Sequence, residues 1–154
     1  MARAVRAAGI LFIGILLGSL RDLLFINLNY QIDHVRRSTP GSYAHSRFQA
    51  FVEGWDLGDL VRLKWILAGF FVLSMWGLSM VLLRNANALA RLARPVTLLF
   101  GVIALAALFA HVLGRWLPVE EASVNLLHAI QYPVLLIVLQ VAIMLFPAAG
   151  KNAA

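Results

Sequence analysis

Two adjacent charged residues, Arg21 and Asp22, interrupt an apolar stretch near the start of the chain. An apolar core ending before them would hold about 14 residues, whereas crossing a bilayer takes about 20. We therefore expect both residues inside the membrane, where each charge costs about 2.5–3.5 kcal/mol and needs a partner or water. Adjacent helical positions point about 100° apart, so the two side chains are predicted to bond to other helices rather than to each other. A structural ion pair, a functional polar site and a misplaced span boundary all stay open.

The surroundings of this pair suggest a helix face that contacts protein. Asp22 shares one helical stripe with Gly18, Asn29 and Asp33. Gly14 and Gly18 are spaced so that another helix can approach closely on the same side. The stripe is therefore predicted to face the interior of a bundle.

Polar side chains concentrate on one side of the predicted membrane region, and all four histidines, including His34 and His45, fall there. This imbalance suggests a wet or ligand-holding cavity that opens outward, although membrane interfaces are polar in general. The candidate functional cluster consists of these residues: Arg21, Asp22, Asn29, Asp33, His111, Arg115, His128 and Gln131.

Two of the histidines raise the possibility of a cofactor. His111 and His128 lie on consecutive helices joined by a short turn, and such a pair can ligate a b-type haem, with Arg115 or Arg21 near a propionate. Counted from the turn, His128 lies about 9 Å deeper than His111. Counted from the apolar boundaries, their depths nearly match. A quinone pocket using His128, Tyr132 or Asp22 as hydrogen-bond partners is the other cofactor hypothesis.

The sequence gives less support to a metal site or a nucleotide-binding site. The first loop offers two histidines and three of its four acids as possible ligands, but it has no compact His/acid motif, so a solvated acidic face is expected instead of a metal site. The acids are Glu53, Asp56 and Asp59. The chain has no cysteine, which excludes a disulfide scaffold and any Cys-based centre. It also has no P-loop or dinucleotide fingerprint.

The composition predicts how these residues are held. Of the 154 residues, 62% are hydrophobic and only 13% are charged, too few to cover a soluble domain. Continuous apolar runs exclude a barrel. We predict an all-α integral membrane protein with one membrane domain over residues 1–154, a bundle of four transmembrane helices whose first span is uncleaved. The spans are about 7–28, 65–83, 95–114 and 126–147.

The outer loop, residues 30–63, is predicted to carry an amphipathic interfacial helix between spans one and two. Its apolar positions recur at three-to-four spacing, and these are Ala44, Phe48, Phe51, Val52 and Trp55. Asp56 or Asp59 could cap the second span. Four small residues on that span are predicted to allow close helix packing, namely Gly69, Ser74, Gly77 and Ser79. The fourth helix is predicted to begin near Pro118 and to be bent by Pro133.

The distribution of basic residues predicts orientation. The N-terminal tail and the loop between spans two and three carry arginines without acids, whereas the first loop is mixed. Both termini are therefore expected in the cytoplasm, and the membrane is expected to be a bacterial inner membrane. The net charge of +6 comes from scattered residues with no basic block, so nucleic acid is not an expected partner.

Four functional classes remain open at this stage. The first is an accessory or structural subunit of a larger membrane complex, with other membrane subunits or a second copy as partners besides the lipid bilayer. The second is a redox subunit that binds haem or quinone. The third is a small transporter or flippase that uses Arg21 and Asp22, and the fourth is a membrane-embedded enzyme acting on lipid.

Overall fold

The computed structural model describes residues 2–38, 40–114, 116–117 and 120–145, and this part of the chain is almost entirely helical. Three helices are long and apolar enough to cross a membrane, and a bent pair makes a fourth if it counts as one span. The all-α class is thereby confirmed for the described residues. The helices are α1 Ala2–Arg37, α2 Ser46–Phe51, α3 Leu57–Asn85, α4 Leu89–Leu113, α5 Glu120–Gln131 and α6 Val134–Leu145.

Helix α1 is longer than the predicted span and faces the bundle with a different stripe. Its 36 residues measure about 54 Å, nearly twice the thickness of a bilayer's hydrocarbon core. The predicted stripe is wrong, because Asn29 and Asp33 are exposed and Arg21, rather than Asp22, lies on the buried side. The buried stripe contains Gly14, Gly18, Arg21, Phe25, Leu28 and Ile32.

Helix α3 lies at the centre and packs against α1, α4, α5 and α6. Asp56 caps its start, since the side-chain oxygen accepts the N–H of Asp59 at 2.8 Å, which confirms the cap predicted for this span. Its other end is a Schellman motif, in which Ala88 N–H donates to the carbonyl of Leu83 at 2.9 Å. Asn87 takes the left-handed position of that motif, with φ 57°, which asparagine tolerates better than most residues.

Side-chain bonds show that the long helices run up and down in turn. Trp76 of α3 donates to the hydroxyl of Thr97 in α4 at 3.0 Å. Ser123 of α5 donates to the carbonyl of Ala107 in α4 at 2.8 Å. The side chain of Asn85 at the end of α3 also donates to the carbonyl of Arg3, so the start of α1, the end of α3 and the start of α4 share one end of the bundle.

Close contact between α1 and α6 depends on two glycines. A Cβ on Gly14 would lie 2.6 Å from Leu136, and one on Gly18 would lie 3.0 Å from Pro133. The close approach predicted for this glycine pair is confirmed. The corresponding prediction for the small residues of α3 is wrong for Gly69 and Gly77, because a Cβ at either position would meet nothing within 4 Å. Ser79, from the same set, is fully buried.

The fourth apolar stretch is broken at Tyr132 and Pro133, where α5 and α6 meet at an angle of 51°. Proline has no N–H, and its ring clashes with the preceding turn, so a continuous helix is disfavoured there. Helix α6 restarts with the N–H of Ile137 bonded to the carbonyl of Pro133 at 3.0 Å. The predicted bend is confirmed, whereas Pro118 lies outside the described residues.

The segment between α1 and α3 is more compact than predicted. The amphipathic helix covers only Ser46–Phe51, with Ala44 before it and Val52 after it buried. Val52 packs in a small core with Leu28 of α1 and Leu60 of α3, because the segment folds back onto the bundle. Phe48, another predicted apolar position, is half-buried against the same core, whereas Phe51 and Trp55 remain exposed.

Candidate functional site

A buried arginine lies at the centre of the candidate site. The Arg21 side chain is only 6% exposed, and its Nε donates to the Gln131 side-chain oxygen at 3.2 Å. Its Nη1 donates to a carboxylate oxygen of Asp22 at 2.9 Å and to the hydroxyl of Tyr132 at 3.1 Å. The Tyr132 hydroxyl in turn donates to the same Asp22 oxygen. These four residues form what we call the Arg21 network.

The contact between Arg21 and Asp22 corrects the prediction that these neighbours would not face each other. Their Cα–Cβ bonds do diverge, but a long arginine side chain can curl around the helix to reach an adjacent carboxylate. The bond of Arg21 to Gln131 holds it in that conformation. The pair also bonds to another helix, as predicted, because Tyr132 contacts both members.

The network links three helices. Arg21 and Asp22 come from α1, Gln131 ends α5, and Tyr132 lies in the break that follows. The side-chain nitrogen of Gln131 donates to the carbonyl of Ala68 in α3 at 3.2 Å, so the same amide bonds to α1 and α3. Gln131 is 1% exposed, and both ends of its amide are satisfied. The break between α5 and α6 is therefore next to the polar contacts that join α1, α3 and α5.

Aromatic rings surround the guanidinium. Its central carbon lies 4.6 Å from the centre of the Phe25 ring and 5.0 Å from that of Tyr132. Such contacts stabilise a cation that has left water. The ring of His128 lies edge-on to Tyr132, with centres 5.6 Å apart.

A cavity of about 500 Å³ borders the network, within the range that small-molecule sites occupy. We call it the network cavity. The Asp22 side chain is 41% exposed, so its carboxylate is accessible although Arg21 is buried. The walls combine polar groups on one side with apolar side chains on the other. The cavity is lined by Arg21, Asp22, Phe25, Ile26, Asn29, Lys64, Val124, Leu127, His128, Gln131 and Tyr132.

Five of the eight predicted cluster residues meet at this cavity, namely Arg21, Asp22, Asn29, His128 and Gln131. Asp33 does not, because it pairs with Arg37 at 2.8 Å on the exposed surface of α1. His111 also lies elsewhere, with its ring 4.8 Å from that of Trp65. Arg115 lies outside the described residues.

The two histidines considered for haem occupy different cavities. His128 lines the network cavity, whereas His111 lines a neighbouring one of about 170 Å³ with Trp65 and Ser123. A bis-histidine haem needs both imidazoles on opposite faces of one ring system. This arrangement does not bring them together in that way. Within the described part of the chain, no three His, Cys, Asp or Glu residues are grouped so that they could hold a metal ion.

Sequence reasoning missed Phe25 and Lys64 in the cavity and the structural role of Asn27. Asn27 is buried in α1, where its amide nitrogen donates to the carbonyl of Leu23 at 2.7 Å. Its oxygen accepts the backbone N–H of His45 at 2.6 Å, which ties the loop to the helix. The sequence signal for this role is that Asn27 is a polar residue among the buried apolar positions Phe25, Leu28 and Ile32.

Comparison with known proteins gives no family for this chain. No protein-family model, no curated protein and no solved structure matches it. We therefore infer function from the Arg21 network and the cavity beside it.

Proposed function

We propose that this protein is an accessory subunit of a membrane assembly and binds an uncharged, membrane-dissolved molecule with a polar head group in the network cavity. The observation that supports the proposal is the partly exposed carboxylate of Asp22 beside a cavity of about 500 Å³. Such a carboxylate is costly within a bilayer unless water or a polar ligand covers it.

The charges favour an uncharged head group. Arg21 and Asp22 are 2.9 Å apart, so the pair has no net charge. Asp22 is the exposed member of the pair and Arg21 the buried one, so an anionic head group in the cavity would meet the carboxylate first and be repelled by it. Lys64 adds one positive charge, but its long side chain can place the ammonium group at the membrane interface.

The donors and walls favour a flat ring that carries hydrogen-bond acceptors. Arg21 has five N–H groups, of which three are used within the Arg21 network, and the His128 imidazole can also donate. Phe25, Val124 and Leu127 supply an apolar wall for a ring and tail. A quinone combines carbonyl acceptors, a flat ring and an apolar chain, so it is the ligand class that we propose.

The role as a subunit is supported by how much of the chain lies in apolar helices and how little lies outside them. Most of the described residues belong to four long apolar elements, and the longest connecting segment, between α1 and α3, folds back onto the bundle. Helix α4 buries only Phe100 and Ala107 within this chain, which leaves broad apolar faces for lipid or for other subunits. Native mass spectrometry of the protein extracted from its own membranes tests this role, and we expect additional polypeptide mass. A bare 154-residue monomer would contradict it.

Ligand binding is tested with a short-chain benzoquinone and the protein in nanodiscs. We expect saturable quenching of tryptophan fluorescence, because Trp65 lies beside the neighbouring cavity. Replacement of Tyr132 by Phe removes the hydroxyl that positions Arg21 and Asp22 beside the cavity, so we expect binding to weaken by up to about tenfold.

Tyr30→Phe is the matched control for that experiment. It removes the same hydroxyl from a tyrosine that packs against Tyr43, with ring centres 6.0 Å apart, outside the network cavity. We expect unchanged affinity. Equal weakening by the two variants, or quenching that never saturates, would contradict the proposal.

A second candidate, a small lipid flippase, is supported by the helix break. The 51° bend between α5 and α6 occurs at Tyr132 and Pro133, beside the charged pair, and transporters place substrate sites at such breaks. A fluorescent phosphatidylcholine in proteoliposomes is the probe, and its reduction by external dithionite reports flipping. Faster flipping that is lost in Asp22→Asn but kept in Asp33→Asn would support this candidate. Flipping at the rate of empty vesicles would exclude it for this lipid.

A further inference from the structure

Three arginines line one cavity far from the Arg21 network. Arg3 and Arg6 come from the first turns of α1, and Arg84 comes from the last turn of α3. They border a cavity of about 340 Å³ between the two helices. We call it the arginine pocket. The two helices are held together there by the side chain of Asn85, which donates to the carbonyl of Arg3 at 3.0 Å.

In the sequence, no acidic residue lies close to the three arginines that line this pocket. All seven acids of the chain lie between positions 22 and 59 or at positions 120 and 121. In the up-and-down arrangement these positions are in the middle or at the opposite end of the bundle. The arginine pocket therefore carries three positive charges without a countercharge among its lining residues.

The remaining walls are suited to a lipid rather than to a bare anion. The amides of Asn85 and Asn87 provide further hydrogen-bonding groups next to the arginines. Ile10 and Val81 form an apolar side, and Val81 is 52% exposed on the outer surface of α3. An acyl chain could continue from the pocket along this surface.

The helix ends reinforce the preference for an anion. The N-terminus of α1 carries the positive end of its dipole. The C-terminal carbonyls of α3 would oppose an anion if they were unpaired. Those of Leu83 and Arg84 accept the N–H groups of Ala88 and Asn87, at 2.9 and 3.1 Å.

We propose that the arginine pocket binds the phosphate head group of an anionic membrane lipid. Basic pockets between transmembrane helices are known to bind such head groups. Arginine suits phosphate because its planar donors match the phosphate oxygens. The proposal does not depend on the quinone-binding function, since the two cavities share no residue.

The test uses the full chain in mild detergent and native mass spectrometry with added phosphatidylglycerol or phosphatidylcholine that carry the same acyl chains. We expect phosphatidylglycerol to bind more tightly. The double variant Arg6→Gln/Arg84→Gln should bind it about 25-fold more weakly, at about fivefold for each arginine. Added salt should weaken binding to the unmodified protein.

The matched control is Arg91→Gln/Arg94→Gln, which removes two arginines from the start of α4 at the same end of the bundle, outside the pocket. We expect at most a small loss. Equal losses in the two double variants would overturn the proposal, as would equal binding of the two lipids. Complete displacement of the lipid by millimolar inorganic phosphate would assign the pocket to a soluble phosphate compound instead. Circular dichroism checks that each variant is folded.

Discussion

Arg21 depends on residues that are far away in the sequence. Its bonds to Gln131 and Tyr132 join positions 110 and 111 residues apart. Sequence reasoning predicted that Arg21 and Gln131 belong to one polar cluster, because charges in an apolar stretch need partners. The bond to Asp22 was not predictable from helical geometry, since it depends on a side-chain conformation that Gln131 holds in place.

The first prediction concerns the contribution of Arg21 to stability. Arg21→Leu should lower the free energy of unfolding by about 2–3 kcal/mol, because the buried oxygen of Gln131 loses its donor. Unfolding in a detergent titration is the measurement. Arg37→Leu is the control, since its partner Asp33 is 51% exposed and such pairs contribute at most about 1 kcal/mol. Equal losses in the two variants would contradict the view that burial decides the effect.

At the scale of helices, the sequence predicted where the apolar segments lie but not where the helices end. Hydropathy reports the part of a helix that matches the bilayer, whereas the ends of α1 and α3 are polar and continue beyond it. For α2, the sequence predicted a longer helix than the six residues that the structure has. Its apolar spacing continues into Val52, which is buried against the bundle after the helix has ended.

The second prediction tests the contact between α1 and α6. Gly18→Leu should destabilise the bundle by about 1–3 kcal/mol, because a Cβ there already lies 3.0 Å from Pro133 and a larger side chain would separate the helices. Gly9→Leu on the same helix meets nothing within 4 Å at the Cβ and should be neutral or slightly stabilising. Thermal unfolding in detergent compares them, and a larger loss for Gly9→Leu would contradict the packing.

The third prediction concerns the hydrogen bond between Asn27 of α1 and His45 of the segment that follows α1. Asn27→Leu removes the oxygen that accepts the N–H of His45, so this amide should exchange with solvent faster. Asn27→Asp retains an acceptor oxygen and should keep more of the protection. Hydrogen exchange followed by mass spectrometry is the measurement. Unchanged exchange in Asn27→Leu would mean that Ala44 and Val52 hold the loop by packing alone.

For the whole molecule, the sequence predicted four spans with both termini on one side of the membrane, which requires consecutive helices to run antiparallel. The bonds of Trp76 to Thr97 and of Ser123 to Ala107 agree with that order. The detailed packing could not be predicted, since the apolar surfaces of the helices are too uniform to specify which faces meet. Only the polar contacts and the glycine pair select one arrangement.

The fourth prediction uses the absence of cysteine to test orientation. A single cysteine in place of Tyr43, which is 88% exposed, or of exposed Asn87 would be the sole target of a membrane-impermeant thiol reagent. The two positions lie at opposite ends of the bundle. Since the arginines at the Asn87 end are accompanied by no acids, whereas those of the first loop are mixed with acids, we expect Tyr43→Cys to react from outside intact cells and Asn87→Cys to react only after the membrane is opened. The reverse pattern would invert the proposed topology.

The long sequence separation within the Arg21 network has a consequence for biosynthesis. A ribosome adds about 5–20 residues per second, so roughly 5–20 s pass between the synthesis of Arg21 and that of Gln131. During that interval the first helix carries a charged pair whose later partners do not yet exist. The nascent chain must therefore wait beside the insertion machinery, where water is available, or place Arg21 at the interface before the last helix arrives. Synthesis of the final segment would then release the first helix into the lipid, which makes the order of translation part of how this protein assembles.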